Sequence, residues 1–192
     1  MDRKRVAKII SAATRLPLIA VPLFLLVGLV EDGVPGLLWG AFCIFFTSGL
    51  SLLYLLYLIR SGKVADPGRI QQGERTGPLR VVAALHAGAW VLVSTLDGPV
   101  ELRAVLLSYA LATAAFALLT PVSKISLHAA GIAGAGVCLA WIFGPWGTLA
   151  SLALPAVWWA RLTLERHTPT ELLLGTLVGG GLTALAFFVT VQ

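Results

Sequence analysis

Apolar residues in this chain form successive runs of roughly 17–25 residues, the length that an α-helix needs to cross a bilayer core. Of the 192 residues, 58% are hydrophobic and only 12% are charged, and the mean hydropathy is +0.90. A soluble domain of this size could not hide so much apolar surface from water. The sequence therefore predicts an all-α fold: a polytopic membrane bundle of six to seven transmembrane helices, forming a single integral membrane domain over residues 1–192.

Hydrophobicity predicts seven spans, with the ranges 7–30, 35–59, 80–96, 101–119, 125–143, 148–164 and 171–190. The N-terminal stretch is basic and then apolar, without a small-residue cleavage site, which indicates an uncleaved first span. The connections LDGPVE and FGPWGT are short and rich in glycine and proline, so the spans on either side of each should form antiparallel hairpins.

Basic residues are distributed very unevenly between the two predicted membrane faces. If all seven stretches cross, every Lys and Arg except Arg103 falls on one face. Basic loops stay cytoplasmic, so we expect a multi-pass protein of the cell membrane whose basic face is cytoplasmic. The net charge of +5 fits this orientation better than a nucleic-acid partner, because no aromatic-interleaved basic patch lies on a soluble element. Cys43 and Cys138 lie within apolar runs and are expected to be packing residues rather than a disulfide or metal ligands.

A polar stretch, RLTLERHTPTE, separates the last two predicted spans on this basic face. Thr168 can cap the following helix with Pro169 in its first turn, which puts His167 and Glu171 four residues apart on one face. A carboxylate bonded to one ring nitrogen leaves the other nitrogen available as a nucleophile or base. Arg161 supplies a planar fork suited to a phosphate. The same residues also form a capping box, which needs no catalysis.

A second polar stretch, SKISLHAAG, opens the fifth predicted span on the same face. Ser126 and His128 lie where free backbone N–H groups and the helix dipole favour an anion, and Lys124 adds a positive charge. His128 could protonate a leaving-group oxygen. The alternative is that Ser123 or Ser126 only caps the helix and that His128 is an interfacial residue satisfied by a neighbour.

A third polar stretch, RSGKVADPGRIQQGERTGP, connects the second and third predicted spans. Its arginines, together with Arg80 just beyond it, either help to hold a phosphate or anchor the chain to lipid headgroups. Arg69 and Arg75 are the candidates for phosphate binding. His86 lies within the third span and is expected to be a satisfied interior histidine.

In combination, the three stretches resemble the type 2 phosphatidate phosphatase family, membrane lipid phosphatases that share their site with vanadium haloperoxidases. The family motifs are K-x6-R-P, P-S-G-H and S-R-x5-H-x3-D, in that order. The third matches Arg161, His167 and Glu171, with Ala160 in place of the serine and glutamate in place of the aspartate. The second matches Ile125-Ser126-Leu127-His128, with leucine in place of the glycine, and the first survives only loosely in GRIQQGERTGP. The resemblance covers about residues 69–171, which puts a phosphatase-like core at about 60–190.

By this resemblance, His167 would attack phosphorus to form a phosphohistidine, Glu171 would orient it, and His128 would protonate the leaving oxygen. The phosphoryl oxygens would be held by a further set of residues: Arg161, Ser126, Lys124, Arg69, Arg75 and the backbone amide of Leu127. The family uses no metal or cofactor. The substrate would be a phosphate or diphosphate monoester of a membrane lipid, such as phosphatidate, phosphatidylglycerophosphate or a polyprenyl phosphate or diphosphate.

Three other functions remain open from the residues alone. A transferase would use the same phosphoenzyme but pass the phosphoryl or headgroup to an alcohol instead of water. A non-catalytic lipid-binding membrane protein would use both histidines as interfacial anchors. A transporter is disfavoured, because no pair of broken spans carries matching polar residues at mid-depth. The sequence indicates no oligomeric state.

Overall fold

The computed structural model describes residues 2–64 and 72–191, with only the backbone described for 72–75. Within these ranges every regular element is helical, which confirms the all-α class. Eight α-helices follow in chain order: α1 (Arg3–Ala13), α2 (Leu16–Ile44), α3 (Leu50–Arg60), α4 (Gln72–Thr95), α5 (Val100–Leu119), α6 (Leu127–Phe143), α7 (Ala153–Thr163) and α8 (Pro169–Thr190). A π-helical turn, Phe45–Gly49, joins α2 to α3, and a 3-10 helix, Gly144–Leu152, joins α6 to α7.

Five helical stretches in the described part of the chain are long and apolar enough to cross a membrane. They are Leu16–Arg60, Thr76–Thr95, Val100–Leu119, Leu127–Thr163 and Pro169–Thr190. The prediction of a membrane protein built from several long apolar helices is therefore confirmed at this level.

The longest stretch reverses direction at Gly33, where φ is 57°, a backbone conformation that favours glycine. A Cβ atom built on Gly40 would lie 2.6 Å from the carbonyl oxygen of Phe24. A straight helix would hold these two residues about 24 Å apart. The two halves of α2 therefore pack against each other as a hairpin, with small residues at their contact.

A second reversal follows α6 at Gly144, where φ is 59°. A Cβ atom on Gly136 would lie 2.5 Å from the hydroxyl oxygen of Ser151, so the 3-10 helix runs back along α6. The sequence FGPWGT was predicted to form such a hairpin, and the structure confirms it. Helices α4 and α5, joined by LDGPVE, also pack along each other.

The predicted first span, 7–30, is wrong at its N-terminal end. Residues 3–13 form a separate helix, α1, and the apolar stretch begins only at Leu16. Asp2 caps α1, whose basic residues are exposed while Ala7 is fully buried. A new helix begins after Arg15, its N-cap residue, with Pro17 in the first turn, a position that proline favours. Helix α1 is consequently an amphipathic element that packs against α7.

Small residues bring the beginnings of α6 and α8 together. A Cβ atom on Gly175 would lie 2.5 Å from the carbonyl oxygen of Ser126, and one on Gly179 would collide with the backbone of Ala130. Because the two backbones touch directly, the polar residues at the start of α6 lie beside those at the start of α8.

Candidate active site

The start of α8 forms the predicted capping box. The Thr168 hydroxyl accepts a hydrogen bond from the Glu171 backbone N–H at 3.3 Å, and Glu171 Oε2 accepts one from the Thr168 N–H at 3.0 Å. The same Oε2 atom lies 3.0 Å from His167 Nδ1. The contact predicted from the four-residue spacing is therefore confirmed, and Glu171 both caps the helix and holds the imidazole.

Two oxygen atoms face the same nitrogen of His167. Besides Glu171 Oε2, the carbonyl oxygen of Lys124 lies 3.1 Å from Nδ1. Since both oxygens are acceptors, the neutral ring carries its proton at Nδ1 and presents a lone pair at Nε2. This is the tautomer that a nucleophilic histidine requires.

His167 is only 8% exposed. Burial and the positive charge of Arg161 lower the pKa of His167 from 6.5 to about 4, although hydrogen bonding to Glu171 opposes the shift. Burial has this effect because it disfavours the charged form of the ring. His167 is therefore neutral near pH 7, in the tautomer set by its partners at Nδ1.

The start of α6 is tied to this segment through the backbone. The Ser126 N–H donates to the carbonyl oxygen of Glu171 at 3.2 Å, and the fully buried Ser126 side chain caps α6 by accepting from the Ala129 N–H at 3.4 Å. Lys124 meets His167 through its carbonyl oxygen. Leu127 lines an apolar cavity within the bundle. Ser126 thus has a structural role as a cap, whatever else it binds.

Arg161 and His128 meet at a residue that sequence reasoning did not select. Arg161 Nη1 donates to the Ser11 hydroxyl at 2.7 Å, and His128 Nε2 lies 3.1 Å from the Ser11 carbonyl oxygen. Because a carbonyl oxygen only accepts, His128 must carry a proton at Nε2. The two side chains thus direct N–H groups at two oxygen atoms of one residue, on the last turns of α1.

Helix α1 therefore contributes Ser11 to a polar cluster whose other members are His128, Arg161, His167 and Glu171. Ser11 is an ordinary helical serine in an apolar run, so no spacing rule singles it out. The available signal was the amphipathic pattern before Pro17, with basic residues on one side of the helix and Ala7 on the other. That pattern indicates a separate surface helix, although it does not identify Ser11.

The structure does not test the remaining phosphate-binding candidates. Arg69 lies outside the described residues, and Arg75 belongs to the part of α4 for which only the backbone is described. Arg80 is exposed on α4. His86 is buried away from the cluster, with Nδ1 at 3.3 Å from the Thr113 hydroxyl and at 3.4 Å from a backbone carbonyl oxygen.

No group of three or more His, Cys, Asp or Glu residues in the described ranges is arranged to hold a metal ion. Cys43 and Cys138 are free, buried thiols in the apolar core, in agreement with the predicted packing role.

Comparison of the chain with models of known protein families, with curated proteins and with solved structures returned no match.

Proposed function

We propose that this protein is a membrane lipid phosphatase that hydrolyses a phosphate or diphosphate monoester through a phosphohistidine on His167. The observation that carries the proposal is the convergence of His128 and Arg161 on the two oxygen atoms of Ser11. Such donors, one of them a guanidinium, are the kind that bind phosphoryl oxygens. Arg161 also lies close enough to His167 to act on its charge, so that donors and nucleophile form one cluster.

The first chemical step forms a bond from His167 Nε2 to phosphorus and breaks the bond from phosphorus to the lipid oxygen. Glu171 keeps the proton at Nδ1 and stabilises the positive charge that develops on the ring. The negative charge of the bound phosphate favours the protonated form of His128, which then gives its Nε2 proton to the departing oxygen. In the second step His128 takes a proton from water, which attacks phosphorus and releases His167.

Electrostatic stabilisation in this mechanism comes from Arg161. Its guanidinium binds the equatorial phosphoryl oxygens, on which charge is spread in the transition state. In the structure the Ser11 hydroxyl accepts from this guanidinium, so a bound phosphate would compete with Ser11 for Arg161. The motifs of the phosphatase family that the sequence resembles carry an arginine and two histidines in the same order along the chain.

The purified protein in detergent, with chelator present, should release phosphate from at least one of phosphatidate, phosphatidylglycerophosphate and farnesyl diphosphate. His167→Asn should abolish release, because an amide cannot form the phosphoenzyme. Thr170→Ala is the matched control, since Thr170 is exposed in the same turn of α8 and should retain the wild-type rate. Brief reaction with a radiolabelled substrate should label the wild-type protein through an acid-labile bond.

A non-catalytic lipid-binding function is the second candidate, because Ser126 and Glu171 already act as helix caps. Undiminished release by His167→Asn would refute the phosphohistidine. Absence of phosphate release by the wild-type protein from all three lipids would favour the non-catalytic function.

We also propose that the hairpins at Gly33 and Gly144 each cross the membrane twice, giving seven crossings with the cluster on the cytoplasmic face. The distribution of basic residues supports this orientation, because all four lysines fall on one face. An impermeant amine reagent should therefore fail to label the protein in intact cells and should label Lys63 after permeabilisation. Labelling of Lys63 from outside would reverse the orientation.

A further inference from the structure

An apolar cavity of about 340 Å³ is bounded by α2, α3, α4, α5, α6 and α8 and is partly open to the outside. Its wall on α6 consists of Leu127, Ala130, Gly131, Gly134, Ala135 and Cys138. These positions form one continuous helical face, and from first to last they cover roughly 16 Å along the helix axis. The cavity is therefore elongated along α6 and reaches deep into the apolar part of the bundle.

One end of the cavity lies one residue along the chain from Ser126 and His128, which do not themselves line it. Leu127 lies between Ser126 and His128 in the chain, and Leu16 lines the cavity directly after Arg15. A Cβ atom on Gly131 would lie 2.6 Å from the Leu16 side chain, so α2 and α6 close together at this end. A ligand whose polar end meets His128 can thus extend an apolar part along α6.

The size of the cavity limits what it can hold. An engineered apolar cavity of about 150 Å³ binds one six-carbon ring, so 340 Å³ corresponds to roughly 14 carbon atoms. That is one hydrocarbon chain of a lipid. The second chain of a diacyl lipid would have to lie outside this volume, so a lipid with one chain matches the cavity best.

We propose that this cavity binds a single hydrocarbon chain, and that the substrate class is a lipid phosphate with one chain, prenyl or straight. The proposal rests on the proposed phosphatase function for the phosphate end only. The chain site itself follows from the apolar lining, the volume and the position beside His128.

Ser51 offers a way to fill the cavity without breaking a hydrogen bond. It lines the wall on α3, and its buried hydroxyl oxygen has no hydrogen-bond partner among the described residues. Ser51→Phe should occupy the cavity, whereas Leu53→Phe is the matched control, because Leu53 is 58% exposed on the outer surface of the same helix. Ala112→Leu narrows the cavity from α5 and serves as a second filling variant if Ser51→Phe does not fold.

Binding of straight-chain alcohols with 8 to 18 carbons, measured by calorimetry in one detergent, tests the chain site without any phosphate chemistry. Partitioning of the alcohol into micelles affects both proteins equally, so it cancels in the ratio of the variant Kd to the wild-type Kd. For Ser51→Phe this ratio should rise with chain length up to roughly 14 carbons, reach at least tenfold and then level off. For Leu53→Phe it should stay near one. A ratio near one at every length for both filling variants would overturn the chain site.

The choice of one chain is tested in the non-hydrolysing His167→Asn protein. Farnesyl phosphate carries one prenyl chain and myristoyl lysophosphatidate carries one acyl chain. Each should bind at least tenfold more tightly than dimyristoyl phosphatidate, which carries two acyl chains. Equal binding of phosphatidate would overturn the single-chain class. Retained alcohol binding with no preference for the phosphorylated lipids would leave the chain site intact and refute the proposed function.

Discussion

Glu171 has two roles in the structure, capping α8 and holding His167, and substitution can separate them. Thr168→Ala removes the other half of the capping box without touching the imidazole, at a cost of about 1 kcal/mol in stability. Glu171→Ala removes a cap and also the contact to His167 Nδ1 at 3.0 Å. A hydrogen bond to a charged group contributes about 1.5–3 kcal/mol, so turnover should fall roughly 10- to 150-fold beyond the effect of Thr168→Ala.

Glu171→Gln provides an intermediate case. Glutamine can replace glutamate in a capping box, so stability should change little, whereas loss of the negative charge should slow turnover roughly tenfold. The assay is initial-rate phosphate release with the most rapidly hydrolysed lipid, alongside thermal unfolding in the same detergent. Nitrogen NMR of His167 adds a readout independent of activity, because the Nδ1–H tautomer should lose population only in the Glu171 variants. If Thr168→Ala slows turnover as much as Glu171→Ala and leaves the tautomer unchanged, capping alone explains Glu171 and the catalytic reasoning is wrong.

Three further predictions concern the cluster and its support. Ser11→Ala removes the hydroxyl acceptor of the Arg161 guanidinium and should tighten binding of inorganic phosphate roughly tenfold, as measured by calorimetry. Unchanged or weaker phosphate binding would argue against displacement of Ser11. Gly179→Ala forces α6 and α8 apart and should destabilise the protein by about 1–3 kcal/mol in thermal unfolding. Gly181→Ala is the control, because its Cβ position has open space around it, and it should be neutral or stabilising. Equal effects of the two substitutions would contradict the close packing of α6 and α8. Because the pKa of His167 is lowered from 6.5 to about 4, the unfolded state binds a proton between these values and the folded state does not. Stability should therefore fall as pH drops from 6.5 towards 4. The value of kcat/KM should fall only near pH 4, where protonation of His167 removes the lone pair of the nucleophile. His167→Asn should make this fall in stability less steep, and an unchanged pH profile in the variant would assign the effect to another group.

Local contacts were predictable from the sequence, and distant ones were not. The bond between His167 and Glu171 follows from a four-residue spacing on one helix, and the reversal at Gly144 follows from glycine and proline between apolar runs. The contacts of Ser11 depend instead on how α1 packs on α7, which no periodicity encodes. Hydropathy merged α1 with α2 because only two polar residues, Thr14 and Arg15, separate the end of α1 from the apolar start of α2.

The cavity could not be predicted for a related reason. Its lining residues come from six helices, and most of them lie at apolar positions that the sequence does not distinguish from ordinary core. A void depends on how side-chain volumes combine across helices, so only the assembled bundle reveals it.

The bond between Arg161 and Ser11 joins residues 150 positions apart in the chain. At about 5–20 residues per second, synthesis of the intervening segment takes roughly 8–30 s, so α1 is made long before its partners exist. The cluster is consequently among the last parts of the molecule to be assembled, after most of the apolar stretches have entered the membrane. A chain that stops short of Arg161 can insert most of the bundle and still lack both Arg161 and His167.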